Sequence, residues 1–175
     1  MLYTRFPNRD KECFGSSLAN YFEFNGQPTL AEKVYDEFRK HPFVAADGSV
    51  RALFCTRLVH DLTNDQYRGI FKYLSFDNDT LESLAEDIGE YAAEGLKAVE
   101  DEIKAGRLIG GLRSFDYRGQ ALVLQGFSTR KLQHWIVDCD DGTVINDGTI
   151  RTVTNSKLFF STINAVLQID EQKDL

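Results

Sequence analysis

Proline is scarce in this sequence, with three residues in 175, so no long proline-rich linker divides the chain. Cysteine is as scarce. Cys13, Cys55 and Cys139 are too few for a disulfide framework, and their odd number leaves at least one free thiol. No run of 18 apolar residues occurs, so no segment reads as a membrane span. The N-terminal MLYTRFPNRDKECFGS also lacks the apolar stretch of a signal peptide. Positive charge is the minority sign, with 20 Lys and Arg against 27 Asp and Glu and a formal charge of −7. A chain this acidic is poorly suited to nucleic acid, whose affinity for proteins comes mainly from clustered cations. These absences predict a reduced, soluble, cytoplasmic protein that binds neither nucleic acid nor membrane.

What is present is enough for a core. Hydrophobic residues make up 42% and aromatics 12%, which excludes intrinsic disorder and suits one domain over residues 1–175. The first two-thirds read as helical. Phe14, Leu18, Tyr21 and Phe22 fall at helical spacing within residues 10–25, and Gly26 is placed to cap that helix. Thr29-Leu-Ala-Glu32 has the form of a capping box, followed on one face by Leu30, Val34 and Phe38 until His41-Pro42 stops the helix. Residues 49–62 and 64–74 are expected to form two shorter helices, the second opened by Thr63-x-x-Gln66. The longest helix is expected over Asp79–Lys104. Ten acids and one lysine lie between Asp77 and Glu102, the pattern of a solvated helix face.

Beyond Gly110-Gly111 the period changes. Gln120–Phe127, Lys131–Asp138 and Thr143–Thr154 are rich in β-branched and aromatic residues, with Asp140-Asp141-Gly142 as a hairpin turn signal. A last helix is expected over Asn155–Ile169. Helices followed by strands argue for an α+β fold.

Phosphate-binding loops, dinucleotide fingerprints, the serine-hydrolase elbow, C-x-x-C and H-E-x-x-H are all missing from the sequence. His134 and Cys139 are five residues apart on an expected strand, so they point to opposite faces and make poor co-ligands for zinc. Cys13 is the more informative thiol. With Asp10 as N-cap, it falls in the first turn of the first helix, where unpaired amides and the helix dipole favour a thiolate. His134, in Leu132-Gln-His-Trp-Ile-Val-Asp138, is a candidate base, with an acid or amide downstream to orient it. A two- or four-residue hairpin turn puts Asp147 on the face of His134, and a three-residue turn puts Asn146 there. Trp135 and Cys55 read as core, Cys139, close to the hairpin turn, as having a structural role or none, and His41 as a complement to a helix dipole.

Cys13-Phe-Gly-Ser-Ser17-Leu18-Ala19-Asn-Tyr21-Phe22-Glu-Phe-Asn-Gly26 resembles the nucleophile helix of the bacteriocin-processing, double-glycine leader peptidases, a papain-like family. Thr29-Leu-Ala-Glu32 is similar to the helix opening that follows there. His134-Trp-Ile-Val and Val144-Ile-Asn-Asp147-Gly148 are similar to its histidine strand and to the strand ending in its aspartate. The likeness covers about 45 residues in two blocks, in the family's order. It implies a papain-like α+β fold, with a helical N-terminal part packed on an antiparallel C-terminal sheet. It also implies a thiol hydrolase that cleaves a peptide or amide bond of a peptide or protein substrate, without cofactor or metal. Cys13 would be the nucleophile, His134 the base and Asp147 its orienting acid. The family has glycine directly after its cysteine, where this chain has Phe14. It has an oxyanion glutamine six residues before the cysteine, where this chain has Pro7. Asn8 is the nearest side-chain amide and is assigned the oxyanion role beside the Cys13 N–H. The departures at Phe14 and Pro7 also fit an inactive papain-like domain that binds a protein or peptide, and the same dyad could serve an acyl transferase.

Overall fold

Apolar residues at positions 14, 18 and 22 share one helical face, and this stripe forms α1 (Cys13–Phe24). The computed structural model describes residues 2–51, 54–74, 121–127, 130–139, 143–146, 149–152 and 163–172. In it Phe14, Leu18 and Phe22 are fully buried. The helix ends where its glycine indicates. Gly26 takes φ 75°, its N–H donates to Glu23 O at 3.1 Å, and the Gln27 N–H donates to Phe22 O at 2.8 Å. This is the Schellman arrangement, which uses carbonyls the helix would otherwise leave unpaired.

α2 (Pro28–Glu37) starts earlier than the capping box implied. Gln27 occupies the cap position, and Pro28 takes the first turn, where a missing N–H costs nothing. A 3₁₀ turn (Phe38–Lys40) follows, and His41 is extended at ψ 137° as its position before Pro42 requires. α3 (Cys55–Leu62) is shorter than the helix expected over 49–62. Thr63 closes it and opens no new helix: its hydroxyl donates to Val59 O at 2.6 Å and accepts the Tyr67 N–H at 3.1 Å.

The strands are β1 (Leu2–Tyr3), β2 (Tyr67–Leu74), β3 (Ala121–Phe127), β4 (Arg130–Asp138), β5 (Thr143–Asn146), β6 (Thr149–Thr152) and β7 (Ile163–Glu171). They form an antiparallel sheet in the order β1-β6-β5-β4-β3-β7-β2. Two expected helices are corrected here. Residues 67–74 and 163–171 pair with each other as strands, from Tyr67↔Glu171 to Leu74↔Ala165. Short apolar runs satisfy both periods, and the ladder decides between them. Gly69 fits the strand better than a helix interior, because a Cβ there would come within 3.1 Å of the Leu167 side chain. The strand expected over 143–154 is broken into β5 and β6, which pair up to Asn146↔Thr149. The helix expected over 79–104, and residues 155–162 of the last one, lie outside the described residues.

One face of the sheet carries Leu122, Trp135, Val137, Ile145, Ala165, Leu167 and Ile169 into a core shared with Leu18, Phe22, Phe38, Leu58 and Val59. Alternation sends Ile136, Val144 and Val166 to the other face, where they are also buried. The fold is therefore α+β, with the helices described here on one face of an antiparallel sheet.

Just before α1 stands a charge with no solvent. The Glu12 side chain is 0% exposed and lies between Arg9, at 2.7 Å, and the Arg39 guanidinium. Arg39 also donates to Arg9 O at 2.7 Å and to Ala46 O at 3.2 Å, binding the loop at 45–49 to the start of α1. Gly48, at φ 88°, makes the close approach possible, since a Cβ there would sit 2.9 Å from Glu12 Cβ. Hydrogen bonding to Glu12 raises the Arg9 pKa above its ordinary value. Glu12→Gln keeps the shape and removes the charge. A loss of about 1–3 kcal/mol in urea unfolding is expected, and an unchanged midpoint would refute the clamp.

His41 does more than complement a dipole. Its Nε2 meets Asp61 Oδ2 at 2.8 Å, and its Nδ1 accepts the Phe43 N–H at 3.1 Å, tying the turn after α2 to α3. Burial acts to raise the Asp61 carboxyl, but hydrogen bonds from His41 and His60 and the Arg57 charge outweigh it and lower the pKa. A depressed carboxyl contributes stability above its unfolded value of about 4, and that contribution is lost as pH falls through the folded value. Asp61→Asn is therefore expected to be destabilising near neutrality, with the gap from wild type narrowing below about pH 4. Parallel urea curves at each pH measure it, and a gap that stays constant would overturn the assignment.

Candidate functional site

Cys13 is the first residue of α1, half-buried and packed against the core. The cap differs from the expected one: Asp10 adopts φ 61° as part of the turn that leads into the helix, and Glu12 holds the cap position. Cys13 stays in the first turn all the same. The turn it begins is fixed on three sides. Ser16 Oγ donates to Phe6 O at 2.6 Å, Phe14 packs edge-on against Trp135 with ring centroids 5.2 Å apart, and Ser17 Oγ donates to Trp135 O at 3.0 Å. Gly15 admits the Phe38 ring, since a Cβ there would come 2.5 Å from Phe38 Cδ1.

Trp135 belongs to β4 and follows His134 directly. The first turns of α1 thus lie against the histidine strand, and through Ser17 they hydrogen-bond to its backbone. Trp135 is 3% exposed and is core, as the sequence indicated. Because successive strand residues point to opposite faces, His134 projects with Ile136, away from the face on which Trp135 meets Phe14. His134 and the helix that carries Cys13 thus lie on opposite faces of β4. β5 pairs with β4 at Val137 and Asp138, so among the described residues the part of β4 around His134 has only β3 as strand neighbour.

The pairing of β4 with β5 fixes the register on which the choice between Asn146 and Asp147 depends. Asp138 pairs with Val144, and the Cys139 N–H donates to Thr143 O at 3.1 Å, leaving the three residues 140–142 between them. This is the three-residue register, and it places position 146 on the face of position 134. Asn146 thus takes the register position for which Asp147 was expected; Asp147 lies outside the described residues. The hairpin turn signal at Asp140-Asp141-Gly142 lies outside them as well.

Asn8 is half-buried in the segment that precedes the Asp10 turn. Its neighbours are anchored, with Pro7 O accepting the Tyr35 hydroxyl at 2.8 Å and Phe6 O accepting Asn20 Nδ2 at 2.9 Å. Cys55 is buried on α3, and burial pushes its thiol well above the ordinary value, with the Cys13 charge adding to the effect. Cys139 is buried. Among the described residues no three His, Cys, Asp or Glu side chains gather as a metal site, and no helix is long and apolar enough to cross a membrane.

Sequence reasoning missed Glu12 and Ser17. Both had a readable signal: an acid beside the candidate nucleophile with arginine nearby, and a small hydroxyl one helical turn after it. The burial pattern gives a test. Iodoacetamide applied to the folded protein is expected to label Cys13 first, with Cys55 and Cys139 protected until urea unfolds the chain. Mass spectrometry of tryptic peptides reads the order, and early labelling of Cys55 would contradict its burial. No known protein family, curated protein or solved structure matches this chain.

Proposed function

We propose that the chain is a papain-like thiol hydrolase acting on a peptide or amide bond. The observation that supports it is the placement of Cys13 at the first position of a helix whose opening turns rest on the strand of His134. Helix N-terminal amides favour a thiolate over a thiol. Cys13 Sγ attacks the carbonyl carbon, His134 carries the thiol proton to the leaving amine, and the C–N bond breaks. Water, deprotonated by the same imidazole, then releases the acyl group from the thioester. Asn146 orients the ring, a part the three-residue turn supports for it over Asp147. The Cys13 N–H and the Asn8 amide hold the oxyanion.

A second reading has its own observation. Strand alternation turns Trp135, and not His134, toward α1, which favours a papain-like domain that binds a peptide or protein without cleaving it.

One set of variants separates the two. For the hydrolase, iodoacetamide modifies Cys13 rapidly and His134→Ala abolishes that reactivity. On a fluorogenic peptide library, Cys13→Ala is inactive, Asn146→Ala loses more activity than Asp147→Ala, and Asn8→Ala lowers kcat by about 10²–10³ with little change in KM. If no peptide is turned over and Cys13 alkylates at the same rate with and without His134, the binding domain is the correct reading.

A further inference from the structure

At the end of α1 remote from Cys13, a cleft of about 280 Å³ opens between the helix and the β1, β6 and β5 strands. Ile145 and Ile150 form its sheet side, and Phe24 and Asn20 its helix side. Tyr3 and Phe24, the large apolar side chains exposed at 75% and 40% among the described residues, both lie on it. Apolar walls with a few polar groups are the composition of a ligand site.

The polar groups define the ligand. Asn20 is 1% exposed, and its Nδ2 donates to Phe6 O at 2.9 Å and to Ser16 Oγ at 3.4 Å. A carbonyl only accepts, so this bond fixes which end of the amide faces Phe6. Asn20 Oδ1 is left without a donor among the described residues, and so is Thr4 Oγ1, a second polar atom on the same cleft, without any partner. Buried polar atoms of this kind are costly unless something completes them. The charged residues on the cleft, Arg5 and Glu23, neutralise each other in an ion pair, so the site does not call for an ion. An acceptor and a hydroxyl on one cleft with apolar walls and no net charge complement the N–H and C=O groups of a peptide backbone.

We infer that this cleft binds a peptide segment: a main-chain N–H donates to Asn20 Oδ1, the Thr4 hydroxyl donates to the neighbouring carbonyl, and an apolar side chain lies between Tyr3 and Phe24. The site is independent of the hydrolase reading. Asn20 is seven residues beyond Cys13 on the same helix, about 10 Å along its axis.

The test is titration of ¹⁵N-labelled protein with N-acetyl-L-phenylalanine methylamide, followed by amide chemical shifts. Saturable shifts are expected at Tyr3–Arg5, at the Asn20 side-chain amide and at Glu23–Phe24. Cys13→Ser is expected to leave them unchanged, so that failure of the hydrolase reading leaves this one standing. Phe24→Ala, at an exposed position that does not endanger folding, and Thr4→Val are each expected to weaken binding about fivefold or more. The analogue with both N–H groups methylated is expected not to bind. Absence of saturable shifts into the millimolar range would overturn the inference, since bound water alone would then complete Asn20. Equal binding of the methylated analogue, or unchanged affinity in both variants, would overturn it too.

Discussion

A carboxylate without exposed surface has to be held by opposite charge, because its desolvation is too costly to leave uncompensated. Glu12 is held by Arg9 and Arg39, and those two arginines come from opposite sides of α1 in the chain. The requirement of one group therefore closes a ring of contacts. Arg39 fixes the end of the second helical segment to Arg9 O and to the loop at 45–49, and Lys11 N–H donates to Asp47 O at 3.1 Å from the other side. Arg9 spreads the constraint outward by lying 4.0 Å over the Tyr35 ring, whose hydroxyl holds Pro7 O. The first residue of α1 stands next to this clamp, so the placement of Cys13 follows from the satisfaction of Glu12.

The sheet gives α1 its second fixed point. β1 precedes the helices in sequence and joins the sheet at one end through β6, while β2 follows them and joins at the other end through β7. The helical segment is thus tethered at both of its ends to strands drawn from the C-terminal half. Between those tethers α1 crosses β4, with Phe14 on the Trp135 ring and Ser17 on its carbonyl. Burying the Phe14 ring contributes on the order of 3–5 kcal/mol by comparison with truncation elsewhere, so this contact is among the stronger ones the helix makes.

Much of this was legible in the residues. Phe14, Leu18 and Phe22 announced α1, and Gly26 announced its end, because a 3.6 period and a positive-φ glycine are local signals. β3 and β4 were readable for the same reason, as runs of β-branched and aromatic residues with turn residues between them. β2 and β7 were not. Each is a short apolar run that suits a helix face as well as a strand, and only their pairing with each other removes the ambiguity. The capping boxes at Thr29 and Thr63 failed for a related reason. A Ser/Thr-x-x-Glu/Gln spacing offers a cap, but Pro28 and the hydrogen bonds of Thr63 at the end of α3 used those positions otherwise. For the candidate site, the helix position of Cys13 was visible in advance. The third member was not, because it depends on one residue of loop length in the β4–β5 turn.

That dependence extends to the chemistry. Strand parity binds together what a sequence motif leaves separate: with a three-residue turn, positions 134, 136 and 146 share a face, and 135, 137 and 145 share the other. The helix carrying Cys13 rests on the second set through Trp135, while positions 134 and 146 belong to the first. A thiol and an imidazole so placed belong to opposite faces of β4, whose described pairing with β5 lies at Val137 and Asp138. Hydrolysis would therefore require the two groups to meet despite that parity, with Ser17 holding α1 against the strand and the Trp135 face filled by core side chains. The proposed reaction thus stands or falls with strand parity, and not with the identity of the three side chains alone.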